Sequence, residues 1–516
     1  MKALAFFLVL CITSVSVHSQ PLPHPADPAI QAIVNQISPD SIYASVERLQ
    51  AFHTRHTFSD TTSNTVGIGA ALRWMQAKVD SNDNASSFSF EWFPWTQGQT
   101  RHNLIARKSG AASERGRYII GGHIDSRNVN GNDNTGFAPG ANDNGSSCGA
   151  FLEMARLFSN TTTAHDLEII WFTGEEQGLL GSAAYANHLD AEDERVDGMI
   201  AMDMNSRVRA PNGDIDSMSL RLYASGTNAQ GSSTSPSRRL QRYLRWIGEA
   251  YVPGFEMVII AASDRPGRGS DHLSFSNRGF PGVRFIERNE DTAFQHDTTD
   301  VVEELVPTYA RRNAICAMAG LLTMLNAPLT PAAPVVSGTD SGYAIITVPE
   351  SIELPAGGRF LLSKRDITNH YWDEIFDLGA SREFVYGPDH SGASVWFALS
   401  VVNSEGHPSP FSEEAHADIT SDAREPEVLA TEFALAVYPN PFNPAVTIRY
   451  SLTSPEHVRV AAYDLLGRTT AVIQDGVFRQ GTHETVWQPD NLAGGIYFVR
   501  LSTADKSETQ KILYLK

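Results

Sequence analysis

The stretch Trp171-Phe172-Thr173-Gly174-Glu175-Glu176-Gln177-Gly178 runs an apolar strand into a turn that presents two adjacent carboxylates. Neighbours on a continuing strand face opposite ways. Gly174 and Gly178 bracket the pair and loosen the backbone, so both carboxylates can turn toward one pocket at the strand's carboxyl end, where open α/β sheets place their sites. An isolated Glu-Glu is ordinarily a solvated loop pair. Here four other segments carry residues of metal-ligand type, each following or ending an apolar run: His123 with Asp125, Asp143, Asp203 and His296. Mixed His and carboxylate ligation suits zinc, and five such ligands exceed what one tetrahedral ion needs. The count points to two metals sharing one carboxylate.

Each segment also has its own local logic. His123 and Asp125 are two apart on extended backbone, so their side chains share a face, and a carboxylate behind an imidazole fixes its tautomer. Asp143 lies in the glycine-flanked turn Gly140-Ala141-Asn142-Asp143-Asn144-Gly145, which runs into a helix capped by Ser146 or Ser147. Asp203 ends the apolar strand Met199-Ile200-Ala201-Met202. The last loops hold Gly269-Ser270-Asp271-His272 and Phe294-Gln295-His296-Asp297. Of their histidines His296 is the better ligand candidate, whereas Asp271 and His272 are read as a site wall, with a direct role for His272 equally open.

The elements that must carry these residues alternate. Helical apolar spacing runs from Pro28 to Val79, and strands are expected at Phe88 to Trp92, Asn103 to Ala106 and Tyr118 to Gly121. Helices are expected after Ser146, at Gly181 to Leu189, Arg238 to Ala250 and Pro307 to Leu325. They interleave with apolar strands ending at Phe172, Asp203, Ala261 and Ile286. Strands alternating with helices predict a three-layer α/β/α sandwich on a mostly parallel mixed sheet.

The set of segments resembles the secreted dizinc aminopeptidase family that includes bacterial leucyl aminopeptidase, with glutamate carboxypeptidase and glutaminyl cyclase as relatives. The match rests on Gly122-His123-Ile124-Asp125-Ser126, Pro139-Gly140-Ala141-Asn142-Asp143-Asn144, Phe172 to Ser182, Met202-Asp203, Ser270-Asp271-His272 and His296-Asp297-Thr298-Thr299-Asp300. The resemblance implies a zinc exopeptidase-like fold and two zinc ions bridged by Asp143. One is held also by His123 and Asp203, the other by Glu176 and His296. It leaves Glu175 as general base on a metal-bridging water and Asp125 behind His123. It also implies a cis peptide after Asp143. Where the family usually carries a second Asp, this chain has Asn144.

After the breaker-rich Ala327-Pro328-Leu329-Thr330-Pro331 the pattern turns to alternating strands. Residues 333–418 resemble a fibronectin type III domain, and an acidic linker, 419–429, follows. Residues 430–516, with Tyr438-Pro439-Asn440-Pro441 and Gly494-Gly495-Ile496-Tyr497, resemble the C-terminal sorting domain of type IX secretion. Both are expected to be all-β immunoglobulin-like sandwiches. The peptidase-like segment, 27–328, contains every ligand candidate and is expected to fold without them.

The chain has 516 residues, too many for one core. A formal charge of −19 argues against a nucleic-acid partner. Residues 1–19 read as a secretory signal, and no later run is apolar and long enough to span a bilayer. Once Cys11 leaves with the signal, Cys148 and Cys316 remain, which argues against a disulfide framework. The combined expectation is an aminopeptidase acting on peptides with a free amino terminus, exported by the type IX machinery of a Gram-negative bacterium to the cell surface or beyond. A glutaminyl cyclase, a carboxypeptidase and an inactive surface-binding protein are the alternatives.

Overall fold

The computed structural model describes residues 23–83, 87–224, 233–262, 264, 268–339, 342–387, 392–420, 433–489 and 492–515. The signal segment with Cys11 lies outside these residues, as does nearly all of the acidic linker. The chain forms two units, Met1–Thr420 and Ser421–Lys516.

Three helices open the first unit: α1 (Pro28–Val34), α2 (Pro39–Gln50) and α3 (Gly67–Asn82). The first two start on a side-chain cap, Asp27 or Ser38, followed by proline at the first helical position, where its missing N–H costs nothing. An eight-stranded sheet comes next, built from β1 (Ser89–Gln97), β2 (Gln99–Lys108), β3 (Arg117–His123), β4 (Asp166–Phe172), β5 (Gly198–Met202), β6 (Ser219–Tyr223), β7 (Glu256–Ile260) and β8 (Gly282–Glu287), in the order β1-β2-β4-β3-β5-β8-β6-β7. The central neighbours β4-β3-β5-β8 pair in parallel, while β1, β2 and the β6–β8 contact are antiparallel. This is the expected mixed, mostly parallel α/β sandwich.

The crossovers are α4 (Ser146–Phe158), α5 (Leu180–Ala191), α6 (Pro236–Gly248) and the short α7 (His272–Ser276), and α8 (Pro307–Asn326) follows the sheet's last strand. The central strands are buried on both faces, so they read as continuous apolar runs: every residue of β5 and β8 is buried. β6 escapes sequence reading because Ser219-Leu220-Arg221-Leu222-Tyr223 is only five residues with a central arginine. Cys148 and Cys316 are buried free thiols.

Seven further strands follow in the same unit: β9 (Val335–Ser337), β10 (Ala344–Thr347), β11 (Arg359–Asp366), β12 (Glu374–Gly379), β13 (Glu383–Tyr386), β14 (Ser394–Val402) and β15 (Ala415–Asp418). They pair as sheets β13-β10-β9 and β12-β11-β14-β15. The sequence suggests a tethered module after Asn326, but the structure joins it to α6. Trp246 packs against Trp372 and Phe411, and Leu361, Ala398 and Val402 belong to the same apolar core as the helices. Tyr243 donates to the carbonyl of Pro408 at 2.7 Å. The Glu414 side chain, 1% exposed, accepts from Arg365 at 2.7 and 2.8 Å and from Arg242 at 3.3 Å. Apolar residues on an exposed helix face are read from sequence as core, but the sequence does not say which element covers them.

The second unit is an all-β sandwich of sheets β16-β17-β20 and β19-β18-β21-β22. Its strands are β16 (Ala434–Tyr438), β17 (Val446–Leu452), β18 (Glu456–Tyr463), β19 (Thr469–Phe478), β20 (Gly481–Trp487), β21 (Gly495–Ser502) and β22 (Ser507–Tyr514). Its own core includes Ile448, Tyr450, Val460, Val499 and Ile512.

A chain ending at Asn326 is therefore expected to be insoluble or unfolded, because it exposes Trp246 and Tyr243 and leaves Arg242 without Glu414. A chain ending at Thr420 is expected to stay soluble with the same circular dichroism and unfolding midpoint in this unit. A soluble, cooperatively folded chain ending at Asn326 would show the shared core to be dispensable.

Candidate dinuclear metal centre

The ends of three central parallel strands deliver the acidic and imidazole groups. His123 is the last residue of β3, Asp203 follows β5 directly, and the turn after β4 carries Glu175 and Glu176. Gly174 has φ +83°, and a Cβ there would lie 2.8 Å from the ring of Trp95. That tryptophan donates from Nε1 to Thr173 Oγ1 at 3.0 Å and so pins the start of the turn. The backbone N–H groups of Glu175 and Glu176 both donate to the Asp125 carboxylate, at 3.3 and 3.2 Å.

Asp143 comes from the buried loop Ala141–Gly145, and the Asp143–Asn144 peptide is cis. Two acceptors and one donor hold this loop. Asp300 accepts the backbone N–H groups of Asn142 and Asp143, each at 3.0 Å, and Glu287 accepts the Asn142 side-chain amide at 3.0 and 3.1 Å. Arg55, fully buried, donates to the carbonyls of Ile124, Pro139 and Gly140 at 2.7–2.8 Å, and so ties the His123 and Asp143 segments together. Gly140 has φ +48° and no room for a side chain, since a Cβ would meet Asp143 O at 2.5 Å. No side chain caps α4; the Ser146 hydroxyl donates back to the Asn142 carbonyl at 2.7 Å instead.

Two groups of three result, and they share one residue. His123, Asp143 and Asp203 offer ligand atoms within 4.8 Å of one another, as do Asp143, Glu176 and His296. Asp143 Oδ1 lies 3.1 Å from His123 Nε2, and its Oδ2 lies 3.3 Å from His296 Nε2. His123 Nε2 is 3.4 Å from Asp203, and His296 Nε2 is 3.1 Å from Glu176. His296 has φ +59°, a left-handed conformation uncommon outside glycine, which marks it as held by its surroundings.

The donor set fits zinc. Imidazole nitrogen and carboxylate oxygen are its usual ligands, and Glu176 Oε1 is buried with no hydrogen-bond partner, the state of an oxygen shaped for a cation. Burial opposes ionisation of Asp143, but the hydrogen-bonded His123 and His296 hold its carboxyl well below the usual range. Glu175 belongs to neither triad. Burial pushes its carboxyl well above the usual range, His123 opposes that, and Asp203 and Glu176 reinforce it. Such a group is suited to taking up a proton.

Other assigned positions differ in detail. His123 Nδ1 lies 3.0 Å from the backbone carbonyl of Asp125 and 3.7 Å from its carboxylate, so the main chain meets the ring. The carboxylate instead takes the Thr57 hydroxyl at 2.9 Å together with the turn amides. Asp271 and His272 are buried and do not line the cleft. Burial raises Asp271 to about 7, and burial with Arg284 lowers His272 to about 3, which leaves a neutral ring. The cleft, about 480 Å³, is lined also by Arg127, Arg268, Arg284, Gln295, Leu179 and Leu273, none of which spacing alone marks. Asp300 stands in a quoted motif, but nothing local reveals that it holds a loop 157 residues away.

Residues 103–319 match Peptidase family M28, and residues 436–514 match the secretion system C-terminal sorting domain. A probable zinc metalloprotease of Pyrenophora tritici-repentis is 30% identical over 388 residues, covering 68% of this chain and 89% of that protein. Another of Phaeosphaeria nodorum is 30% identical over 402 residues, covering 68% and 80%. The LapA aminopeptidase of Legionella pneumophila superposes with a TM-score of 0.47 at 20% identity, covering 58% of this chain and 75% of that one. Site and relatives together define a metallopeptidase. The chain belongs to Peptidase family M28 and carries a type IX sorting domain at its carboxyl end.

Asp300→Ala is expected to lower the unfolding midpoint and reduce retained metal, because two buried amides lose a charged acceptor, each bond being worth about 1.5–3 kcal/mol. Denaturant titration and metal analysis of the purified variant check this. Unchanged stability and metal content would assign the loop's support elsewhere.

Proposed function

We propose that this chain is an exported dizinc aminopeptidase that releases amino-terminal residues from peptides. The observation that carries the reading is the sharing of Asp143 between two triads, one oxygen to each. His123, Asp143 and Asp203 would hold one zinc ion, and Asp143, Glu176 and His296 the other. Zinc supplies Lewis acidity toward a carbonyl oxygen and acidifies water near neutral pH.

The chain's own groups do the rest. Glu175, lining the cleft outside both triads, accepts the proton of the attacking water and returns it to the leaving amine. Asp125 keeps Glu175 and Glu176 in register by accepting both amide N–H groups, and Asp300 and Arg55 keep Asp143 aimed between the triads. In this reading 27–328 is the peptidase segment, 333–418 a fibronectin type III-like sandwich fused to it, and 430–516 the sorting domain. The signal at 1–19 and the sorting domain together support passage through the inner membrane and then the type IX machinery, to the surface or medium of a Gram-negative bacterium. No helix among the described residues is long and apolar enough to cross a membrane.

A carboxypeptidase is the second reading, because Arg127, Arg268 and Arg284 line the cleft and a terminal carboxylate needs such cations. A substrate panel separates the readings: free-amino aminoacyl amides, the same amides N-acylated, N-acyl peptides ending in glutamate, and amino-terminal glutamine. Cleavage of the first group alone is expected, and comparable hydrolysis of the acylated amides would reject the aminopeptidase assignment.

The adjacent carboxylates give a sharper test. The wild type is expected to retain two zinc ions, Glu176→Gln about one, with activity partly returning in excess zinc. Glu175→Gln should keep both ions and substrate affinity while kcat falls by roughly 10²–10⁴-fold. Equal zinc loss in the two variants, or near-full activity in Glu175→Gln, would mean the roles are wrongly divided.

A further inference from the structure

Gln295 lines the cleft one residue before His296, and its side-chain amide has a partner on each side. Nε2 donates to Asp143 Oδ2 at 2.9 Å, and Oε1 accepts from Arg268 Nη1 at 2.7 Å. A guanidinium only donates and an ionised carboxylate only accepts, so the two partners fix which way round the amide stands. Asp143 Oδ2 is also the oxygen 3.3 Å from His296 Nε2, whereas Oδ1 faces His123. The amide therefore meets the shared carboxylate on the side of Glu176 and His296.

Arg268 is itself held in place. Its side chain is mostly buried, Nη2 pairs with Glu290, and Nε stands 3.6 Å from Asp264. Contacts thus run from Glu290 through Arg268 and Gln295 to Asp143. Without the guanidinium the amide could turn over and set Oε1 against Asp143 Oδ2, acceptor against acceptor. The loop that carries Gln295 and His296 has supports of its own. Phe294 lies under the Arg207 guanidinium at 4.0 Å, and Asn289 donates to the Val208 carbonyl at 3.0 Å. Loss of the Gln295 amide is therefore expected to leave the loop folded and to change how Asp143 Oδ2 is aimed. A hydrogen-bond partner of a ligating carboxylate is typically worth about 10–100-fold in metal affinity.

We propose that Gln295 is a positioning residue for the zinc ion of the Asp143, Glu176 and His296 triad. Its amide aims Asp143 Oδ2 into that triad, and Arg268 acts through it by fixing the amide's orientation. The inference rests on the dizinc reading.

The test measures zinc affinities of the full chain by competition with a chelator of known affinity, with zinc per chain as the readout. In Gln295→Leu one ion is expected to bind about 10–100-fold more weakly and the other as in the wild type, while the unfolding midpoint of the zinc-free chain stays unchanged. In the Glu176→Gln background, which is expected to keep only the ion of the His123 triad, adding Gln295→Leu should leave that ion's affinity as it was. Arg268→Leu is expected to weaken the same ion as Gln295→Leu does, Arg268→Lys to weaken it less, and Arg268→Leu to cause no further weakening when added to Gln295→Leu. Unchanged affinity for both ions in Gln295→Leu would overturn the assignment. So would equal weakening of the two ions, which would mark a general loss of structure, or an Arg268→Leu loss that persists in full without the amide. A wild type that binds only one zinc ion would remove the dizinc reading itself, and the inference with it.

Discussion

The site depends on a single carboxylate made to face two ways. Asp143 directs Oδ1 to His123 and Oδ2 to His296, and those two rings come from the end of β3 and from the loop after β8. A flexible loop could not hold that orientation. The loop instead has its amides taken by Asp300 and its Asn142 side chain by Glu287, and Arg55 binds the carbonyls on its approach. Asn144 donates to the Met202 carbonyl at 2.9 Å and accepts from the Met204 amide at 3.2 Å. The loop is thereby fastened to the strand end that carries Asp203. An amide can both donate and accept, which a carboxylate at neutral pH cannot, so Asn144 suits this particular pair of partners.

Electrostatics in the cleft is balanced by pairing. Four carboxylates, Asp143, Glu175, Glu176 and Asp203, line one cavity with three arginines, and each arginine has a distinct set of partners. Arg284 meets Asp203 Oδ2 at 2.8 Å, and Asp203 Oδ1 lies 3.4 Å from His123 Nε2. Outside this balance sits Glu175, whose carboxyl is raised by burial, with the neighbouring Asp203 and Glu176 reinforcing the shift and His123 opposing it.

The fusion of the first β-sandwich to α6 changes what that sandwich is for. Its aromatic contacts and the two buried ion pairs that Glu414 makes with Arg242 and Arg365 make it part of the peptidase core rather than a tethered module. A buried ion pair contributes little net stability but penalises any arrangement that separates its members, so the pair fixes how the sandwich seats on the helix.

The amino-acid sequence by itself determined the alternating order of strands and helices, the strand ends that carry His123, Asp203 and the Glu175-Glu176 turn, and the candidate status of Asp143 and His296. Those features are local: apolar runs of strand length, glycines where φ must be positive, and polar residues at the ends of apolar runs. The tertiary structure alone decided that Asp125 supports the glutamate turn with its carboxylate and His123 with its carbonyl, that Asp271 and His272 stand behind the cleft, and that Arg268 lines it. It also decided that α6 is covered by the following sandwich. Asp125's support of the glutamate turn and the covering of α6 depend on which buried donor meets which acceptor across separations of 50 and 172 residues. Local pattern carries no information about such pairings, because a buried polar group accepts any partner of the right chemistry that the fold brings within reach.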